Sequence, residues 1–478
     1  MTGEMVQRPA GSAVPAAPKV AAASERYLLF LATSLALALG LGFVLAILLP
    51  VAVSLQASWG LRWQALAQVH GHVQVVGFAG LFIAGMAYRL VPRFSGVPLQ
   101  HPWTVLPVFG LLLIGIGLRA LAQPLNDNPL FAWGSAAASL AELAGAGLFC
   151  LSMLTTLQRP LHDRQHWALF MGAGAIWFLL QAICGAWFLT DLSLHGGTAN
   201  ALAGGRTVLP ADRDNLLVAL QLYGFLLGFI FGVASRAVPT FFAHRPPARL
   251  VLGSWASLQA GLLLFALESL SETAGHPPFA RLQALGLLGL GLGLIGGAAS
   301  TGSWKAAERL RPSARGAAGL LKAAFFWCAL AGCLDVVFAV WDLVADRSLA
   351  GSEADAVRHL LTVGVVTTMI AAMGHLVVPA LATQRLAGIT ARRRLLLLQR
   401  LLIAAVLLRA TPSLLTGLSS RLRVSLIGVS GILAWLAIAL FAWFLLQARR
   451  QQRGTIEVFT QPASASVAGR RLQTPPEA

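Results

Sequence analysis

A pattern of 21 residues that occurs three times constrains this chain more than any other feature of its sequence. The copies read HVQVVGFAGLFIAGMAYRLVP at 72–92, ALQLYGFLLGFIFGVASRAVP at 219–239 and HLLTVGVVTTMIAAMGHLVVP at 359–379. All three keep a glycine at position 6, a valine at position 20 and a proline at position 21. Self-similarity at a nearly fixed spacing is typical of architectures built from one repeated unit. The chain is therefore expected to use one structural unit three times.

Each copy lies in one of many long apolar segments. Apolar residues make up 57% of the chain and charged residues 11%, against about 25% charged residues in soluble domains. Stretches of about 20 apolar residues match a hydrocarbon core about 30 Å thick. The sequence thus predicts an all-α polytopic membrane protein with twelve spans, at 27–50, 68–92, 103–122, 131–157, 167–190, 214–242, 249–270, 279–302, 318–343, 356–382, 394–411 and 424–448.

The spacing of the copies predicts how these spans are grouped. Successive copies start 147 and then 140 residues apart and fall in spans 2, 6 and 10. Each unit therefore has four spans, and the three repeat helices run in the same direction across the membrane. Twelve helices in three pseudo-symmetric arcs of four are the predicted fold.

Charge placement predicts the orientation. The net charge is +17, but the basic residues collect in alternate loops, which is the positive-inside pattern of membrane proteins. This distribution explains the basic character without nucleic acid as a partner. It predicts a disordered cytoplasmic head at 1–25, a membrane domain at 26–450 and a disordered cytoplasmic tail at 451–478.

Histidine opens two of the three copies. His72 and His359 stand at the first position of copies one and three, whereas copy two has Ala219. Two imidazoles at matched depth on parallel helices suit axial ligation of haem b iron. His70 lies two residues before His72, and residues two apart on a helix point in different directions. His72 is therefore preferred over His70 as the partner of His359 in cofactor binding.

Other interpretations of these residues stay open. One alternative is that the histidines lie at the membrane interface and have no chemical role. Another is a copper or zinc site made by His70, His72 and His359. Gly77 and Gly364 lie one turn deeper than the histidines, where a small residue admits either a flat cofactor or a neighbouring helix.

Few other polar residues stand out in the spans. Glu142 and Asp335 are the two acidic residues placed well inside predicted spans, where ionisable groups are functional candidates. His375 lies 16 residues after His359, about 24 Å along a helix, too far to share its iron. His195 precedes a glycine-rich loop and is a candidate lid over the site.

The segments HGHVQVVGFAGLFIAGMAYRLVPRFSG and RHLLTVGVVTTMIAAMGHLVVP resemble two helices of the NnrS family. This resemblance implies a bacterial inner-membrane protein with twelve helices, haem and copper as cofactors, and a role in nitric oxide metabolism. NnrS proteins are distantly similar to subunit I of the haem–copper oxidases, which arranges twelve helices as three arcs of four. By that likeness the low-spin haem ligands fall on His72 and His359.

Spans 6 and 7 lack the histidines that an oxygen reductase needs for copper. The histidine pair predicts a haem b protein, and the resemblance implies a role in nitric oxide or respiratory metabolism rather than oxygen reduction. The expected partners are the lipid bilayer and nitric oxide or an electron-transfer protein. A multi-pass transporter and a haem-free scaffold subunit are the alternatives.

Overall fold

The apolar segments fold into helices. The structure, a computed structural model, describes residues 26–57, 59–158, 166–195, 207–276, 279–306, 315–381, 389–415 and 417–460. The predicted head, and the part of the predicted tail from residue 461 onward, lie outside these residues. Twelve helices of the described chain are long and apolar enough to cross a membrane, which confirms the predicted number of spans.

We number these helices α1 to α12 in chain order. Their bounds are Tyr27–Ser54, Leu61–Ser95, Pro102–Leu125, Pro129–Leu157, His166–His195, Ala211–Phe241, Ala248–Thr273, Ala280–Ser300, Gly316–Ala345, Gly351–Leu376, Arg392–Leu414 and Ser420–Gln447. The helical backbone of α10 continues to Leu381 and that of α12 to Thr460, beyond their apolar parts.

The three repeat helices, α2, α6 and α10, form the centre of the molecule. Of the residues in their most apolar stretches, 89%, 83% and 72% are buried in the protein, against 33–50% in the other nine helices. Consecutive helices pack side by side, and α12 packs against α1, so that the ring of helices closes. Each of the three predicted arcs of four therefore contributes its repeat helix to the core of the bundle.

Each repeat helix widens at the same place. A π-helical segment begins one residue after the first repeat position, at Val73–Gly80 in α2, Leu220–Leu226 in α6 and Leu360–Thr367 in α10. The three segments contact one another at the centre of the bundle. Single π-helical turns are rare, and many lie at functional sites. A fourth segment, Ala38–Gly42, interrupts α1.

The repeated prolines mark where these helices end. Helix α2 ends at Ser95, three residues after Pro92, and Gly96 follows with a φ of 70° that suits glycine. Helix α6 ends at Phe241, two residues after Pro239. The bundle positions the N-terminal halves of α2, α6 and α10 around one cavity, and the histidines of α2 and α10 line it.

Candidate functional site

A cavity of about 540 Å³ lies beside the N-terminal halves of α2 and α10. Helices α1, α3, α6, α11 and α12 complete its wall, and most of the side chains that line it are apolar. Its volume falls within the range of about 300–1,000 Å³ typical of cofactor and ligand sites. The ionisable residues in the wall are His70, His72, Arg119, Asp214, Asp355, Arg358, His359 and Arg409.

His70 presents one ring nitrogen to the protein backbone. Its Nδ1 lies 2.9 Å from the carbonyl oxygen of Gly42, the last residue of the π-helical segment in α1. A carbonyl oxygen only accepts, so Nδ1 must donate the proton, and Nε2 then keeps its lone pair. His70 is thus held as the tautomer that binds a metal through Nε2.

His359 has the same arrangement on α10. Its Nδ1 lies 2.8 Å from the carbonyl oxygen of Asp355, one turn earlier, and 3.2 Å from the Asp355 carboxylate. Both groups accept, so Nδ1 donates and Nε2 keeps its lone pair. The Asp355 carboxylate is itself fixed by Arg409, whose two terminal nitrogens donate at 2.7 and 2.9 Å, and by the Ser413 hydroxyl at 2.7 Å.

His72 differs from both, because hydrogen bonds occupy its two ring nitrogens. Arg119 Nη1 lies 2.9 Å from Nδ1, and Glu142 Oε1 lies 2.8 Å from Nε2. A guanidinium only donates, so Nδ1 is the acceptor and Nε2 donates to the carboxylate. All three side chains are buried. His72 therefore has no lone pair available for a metal.

The histidines face different parts of the bundle. His70, His72 and His359 all line the cavity, but His72 is hydrogen-bonded to Arg119 of α3 and Glu142 of α4. The structure thus places His70 and His359 in one cavity wall and ties His72 to the helices of its own arc. Among the described residues, no three histidine, cysteine or acidic side chains are grouped to hold a metal ion, so the three-histidine metal site finds no support.

The His72 cluster continues as a hydrogen-bonded chain toward the start of α6. Arg119 Nε donates to Gln123 Oε1 at 3.0 Å, and Gln123 Nε2 donates to Gln68 Oε1 at 2.9 Å. Gln68 also forms two bonds with the backbone of Leu209, at 2.8 and 2.9 Å. This chain ties α2 and α3 to the segment that leads into α6.

The repeated glycines contact neighbouring helices and do not line the cavity. A Cβ atom on Gly224 would lie 2.6 Å from Trp177 Cβ of α5, and one on Gly364 would lie 2.9 Å from Trp327 Cγ of α9. On Gly77 the nearest atoms would be 3.4 Å away, among them Leu37 Cδ1 of α1. Gly224 and Gly364 thus let α6 and α10 pack closely on the helix before them, whereas a Cβ atom on Gly77 would make ordinary van der Waals contacts.

Two features of the wall suit a ligand with polar groups. Arg358 donates to the Asn215 amide at 2.9 Å but forms no ion pair with a described acidic residue. The side-chain amide of Gln74 lies in the wall with both its nitrogen and its oxygen buried and without a partner among the described residues. An orphaned buried amide is costly, so a ligand that bonds to it would be favoured.

The remaining sequence candidates lie elsewhere. His375 donates from Nδ1 to the Ala371 carbonyl at 2.7 Å and stacks on Phe444, away from the cavity. His195 is exposed and lies 3.3 Å from Asp191; the glycine-rich loop that follows it is outside the described residues. Asp335 is buried on α9 and accepts a 3.0 Å hydrogen bond from Tyr223 of α6.

Sequence reasoning missed Arg119 and Arg409. Each is the lone charged residue in the second half of an apolar stretch, GLLLIGIGLRALA and LLIAAVLLRA. Ionisable residues inside spans are costly and are functional candidates, so the same rule that selected Glu142 would have selected both arginines.

Comparisons with known proteins agree with this architecture. The sequence model of a protein family described as "NnrS protein" matches residues 27–453. A comparison with curated proteins found no match. Among solved structures, a haem–copper terminal oxidase determined by cryo-EM as a dimer is similar to this chain, with a TM-score of 0.68 and 13% sequence identity. The similarity covers 89% of this chain and 84% of the oxidase chain, and it shows a common fold.

Proposed function

The chain belongs to the NnrS family, and we propose that it is a multi-pass membrane protein that binds haem b between α2 and α10, with His70 and His359 as axial ligands. The tautomers of these two histidines are the observation that supports the proposal best. Metal-binding histidines usually donate their other ring N–H to a carbonyl or a carboxylate. His70 and His359 both do so, and both line the same cavity.

This proposal replaces His72 with His70 as the first ligand. His72 would have to give up its bond with Arg119 or with Glu142 before it could bind iron. Either loss would leave a buried charged group with fewer hydrogen bonds, at a cost of about 1–3 kcal/mol or more. His70 binds without such a loss.

The wall suits the rest of a porphyrin. Its apolar side chains favour the macrocycle, and Arg358 supplies a positive charge for the acidic substituents, although Asp214 lines the same wall. The buried amide of Gln74 offers one further hydrogen-bonding group. Copper is not part of the proposal, because the described residues offer no set of three ligands for it.

Haem iron, when bound, supplies one-electron chemistry, and the protein sets its potential through the axial ligands and their hydrogen bonds. With two histidine ligands the iron has no open position, which suits electron transfer or sensing better than reduction of a substrate. The resemblance of α2 and α10 to NnrS helices supports a role in nitric oxide or respiratory metabolism. Nitric oxide would bind the iron only if one histidine dissociated.

A reduced-minus-oxidised visible spectrum of the purified protein tests the proposal. We expect a b-type spectrum at one haem per chain, lost in His70→Ala and in His359→Ala and kept in His72→Gln. Glutamine is the matched control, because its amide can accept from Arg119 and donate to Glu142. Loss of haem in His72→Gln with retention in His70→Ala would refute the choice of His70. A haem-free wild type from haem-replete cells would favour the transporter or the scaffold.

A further inference from the structure

A second cavity lies in the C-terminal halves of the repeat helices. It has a volume of about 60 Å³ and is lined by α2, α5, α6 and α10. Isoleucine occupies position 12 of all three repeat copies, as Ile83, Ile230 and Ile370, and all three residues line it. Equivalent positions of three copies can surround one space only if that space lies on the axis that relates the copies. The cavity therefore lies on the pseudo-threefold axis.

Two further repeat positions contribute to the wall in all three copies. Positions 11 and 15 of every copy also line the cavity, as Phe82, Phe229, Met369, Met86, Val233 and Met373. All the lining side chains are hydrocarbon or thioether groups. About 10–15 Å³ is enough space for one water molecule, but a buried water also needs two to four polar partners. Since the side chains of this wall offer none, the cavity is a poor site for water, and apolar cavities of this kind stay dry and take up xenon.

The second cavity lies close to the first. Ala79, Leu226 and Val366 line the first cavity at position 8 of the three copies, and position 11 begins the second. Three to four residues correspond to one helical turn, or about 5 Å. An uncharged molecule held in the second cavity would thus lie directly below the wall of the first.

From this geometry we infer that the axial cavity is a binding site for one small uncharged gas molecule of diatomic size. The inference does not depend on haem, because the wall consists of side chains of the repeat helices and α5 alone. Soft thioethers also suit Cu(I), but the wall offers no acidic or cysteine side chain to balance its charge and no histidine to add a stronger ligand. An uncharged occupant is therefore favoured over a cation.

Xenon diffraction tests the inference. Crystals of the wild-type protein, pressurised with xenon, are expected to show an anomalous peak among Ile83, Ile230 and Ile370. Ala234 is buried in the wall, so Ala234→Leu should remove the peak. Ala137 is exposed on α4, and Ala137→Leu should leave the peak unchanged.

An independent variant covers the case in which Ala234→Leu does not fold. Ile370→Ala enlarges the cavity and should raise xenon occupancy at the same site. A wild-type protein with xenon only at its lipid-facing surface would overturn the inference. Stoichiometric Cu(I) binding that is lost in Met369→Leu would also overturn it, in favour of a metal site. Because none of these measurements requires haem, their failure is distinguishable from failure of the haem proposal.

Discussion

Replacement of Arg119 by methionine tests whether the His72 cluster is a charge-balanced structural unit. Arg119 is 3% exposed and donates to His72 and to Gln123, and Glu142 of the same cluster is 5% exposed. With His72 neutral, the arginine and the carboxylate balance each other. Methionine keeps much of the volume of the arginine side chain but removes the positive charge and both hydrogen bonds. The Glu142 carboxylate is then left as an uncompensated buried charge.

The expected cost follows from that imbalance. Breaking a buried ion pair by removal of one partner costs about 3–5 kcal/mol. Polar interactions in membrane proteins are weaker than this in many cases, because the unfolded state in the membrane also finds partners. We therefore expect Arg119→Met to lower the free energy of unfolding by about 3 kcal/mol. Glu142→Gln leaves Arg119 unbalanced and should cost a similar amount, whereas the double variant removes both charges. The costs of two residues in one network differ from additivity by about 0.5–3 kcal/mol, here in the direction of rescue.

Unfolding in detergent micelles titrated with dodecyl sulfate, followed by circular dichroism, measures these free energies for the wild type and the three variants. The double variant should be more stable than the sum of the single losses predicts, by about 2 kcal/mol. Additive losses would refute the view that Arg119 and Glu142 act as one pair through His72. Loss of the haem spectrum in a folded Arg119→Met variant would contradict the proposal that His72 is not a ligand.

Three further predictions concern packing, redox potential and topology. Gly224→Ala should lower the free energy of unfolding by about 1–3 kcal/mol, because its Cβ would lie 2.6 Å from Trp177. Gly77→Ala should lower it by less, because no atom would lie nearer than 3.4 Å to the new Cβ. Dodecyl sulfate titration of the two variants compares these losses. Asp355→Asn removes a negative charge beside His359 and should raise the haem midpoint potential in a redox titration. The rise is about 59 mV for every tenfold loss of stability of the ferric form relative to the ferrous form. An unchanged potential would count against the ligand role of His359. Green fluorescent protein fused after residue 478 should fluoresce, and alkaline phosphatase at the same place should be inactive, if the C-terminus is cytoplasmic as the loop charges predict.

The fold was largely predictable, because its causes are local and repeated. Segment length and hydropathy give the number of spans, and the repeat, which occurs once in every four spans, predicts which helices form the core. The π-helical segments were not predictable from the same pattern. They begin after His72, Ala219 and His359, two histidines and an alanine, so no single residue type at that position specifies them. The three segments contact one another at the centre of the bundle, an arrangement that only the assembled helices show.

The choice between His70 and His72 depends on a property of rotational symmetry. Equivalent positions of copies related by a rotation point in directions related by the same rotation. Positions that face the axis converge there, as Ile83, Ile230 and Ile370 do, whereas positions that face away from it each point into their own arc. His72 accordingly meets Arg119 of α3, and His359 has Arg409 of α11 nearby through Asp355. A ligand that α2 and α10 share away from the axis must instead be met by non-equivalent faces of the two helices. His70 lies about 200° around the helix from His72. Both line the cavity with His359, but His72 has both ring nitrogens hydrogen-bonded to Arg119 and Glu142. If haem binds as proposed, matched repeat positions identify the helices that share it, whereas the ligand on α2 lies two residues before the matched position.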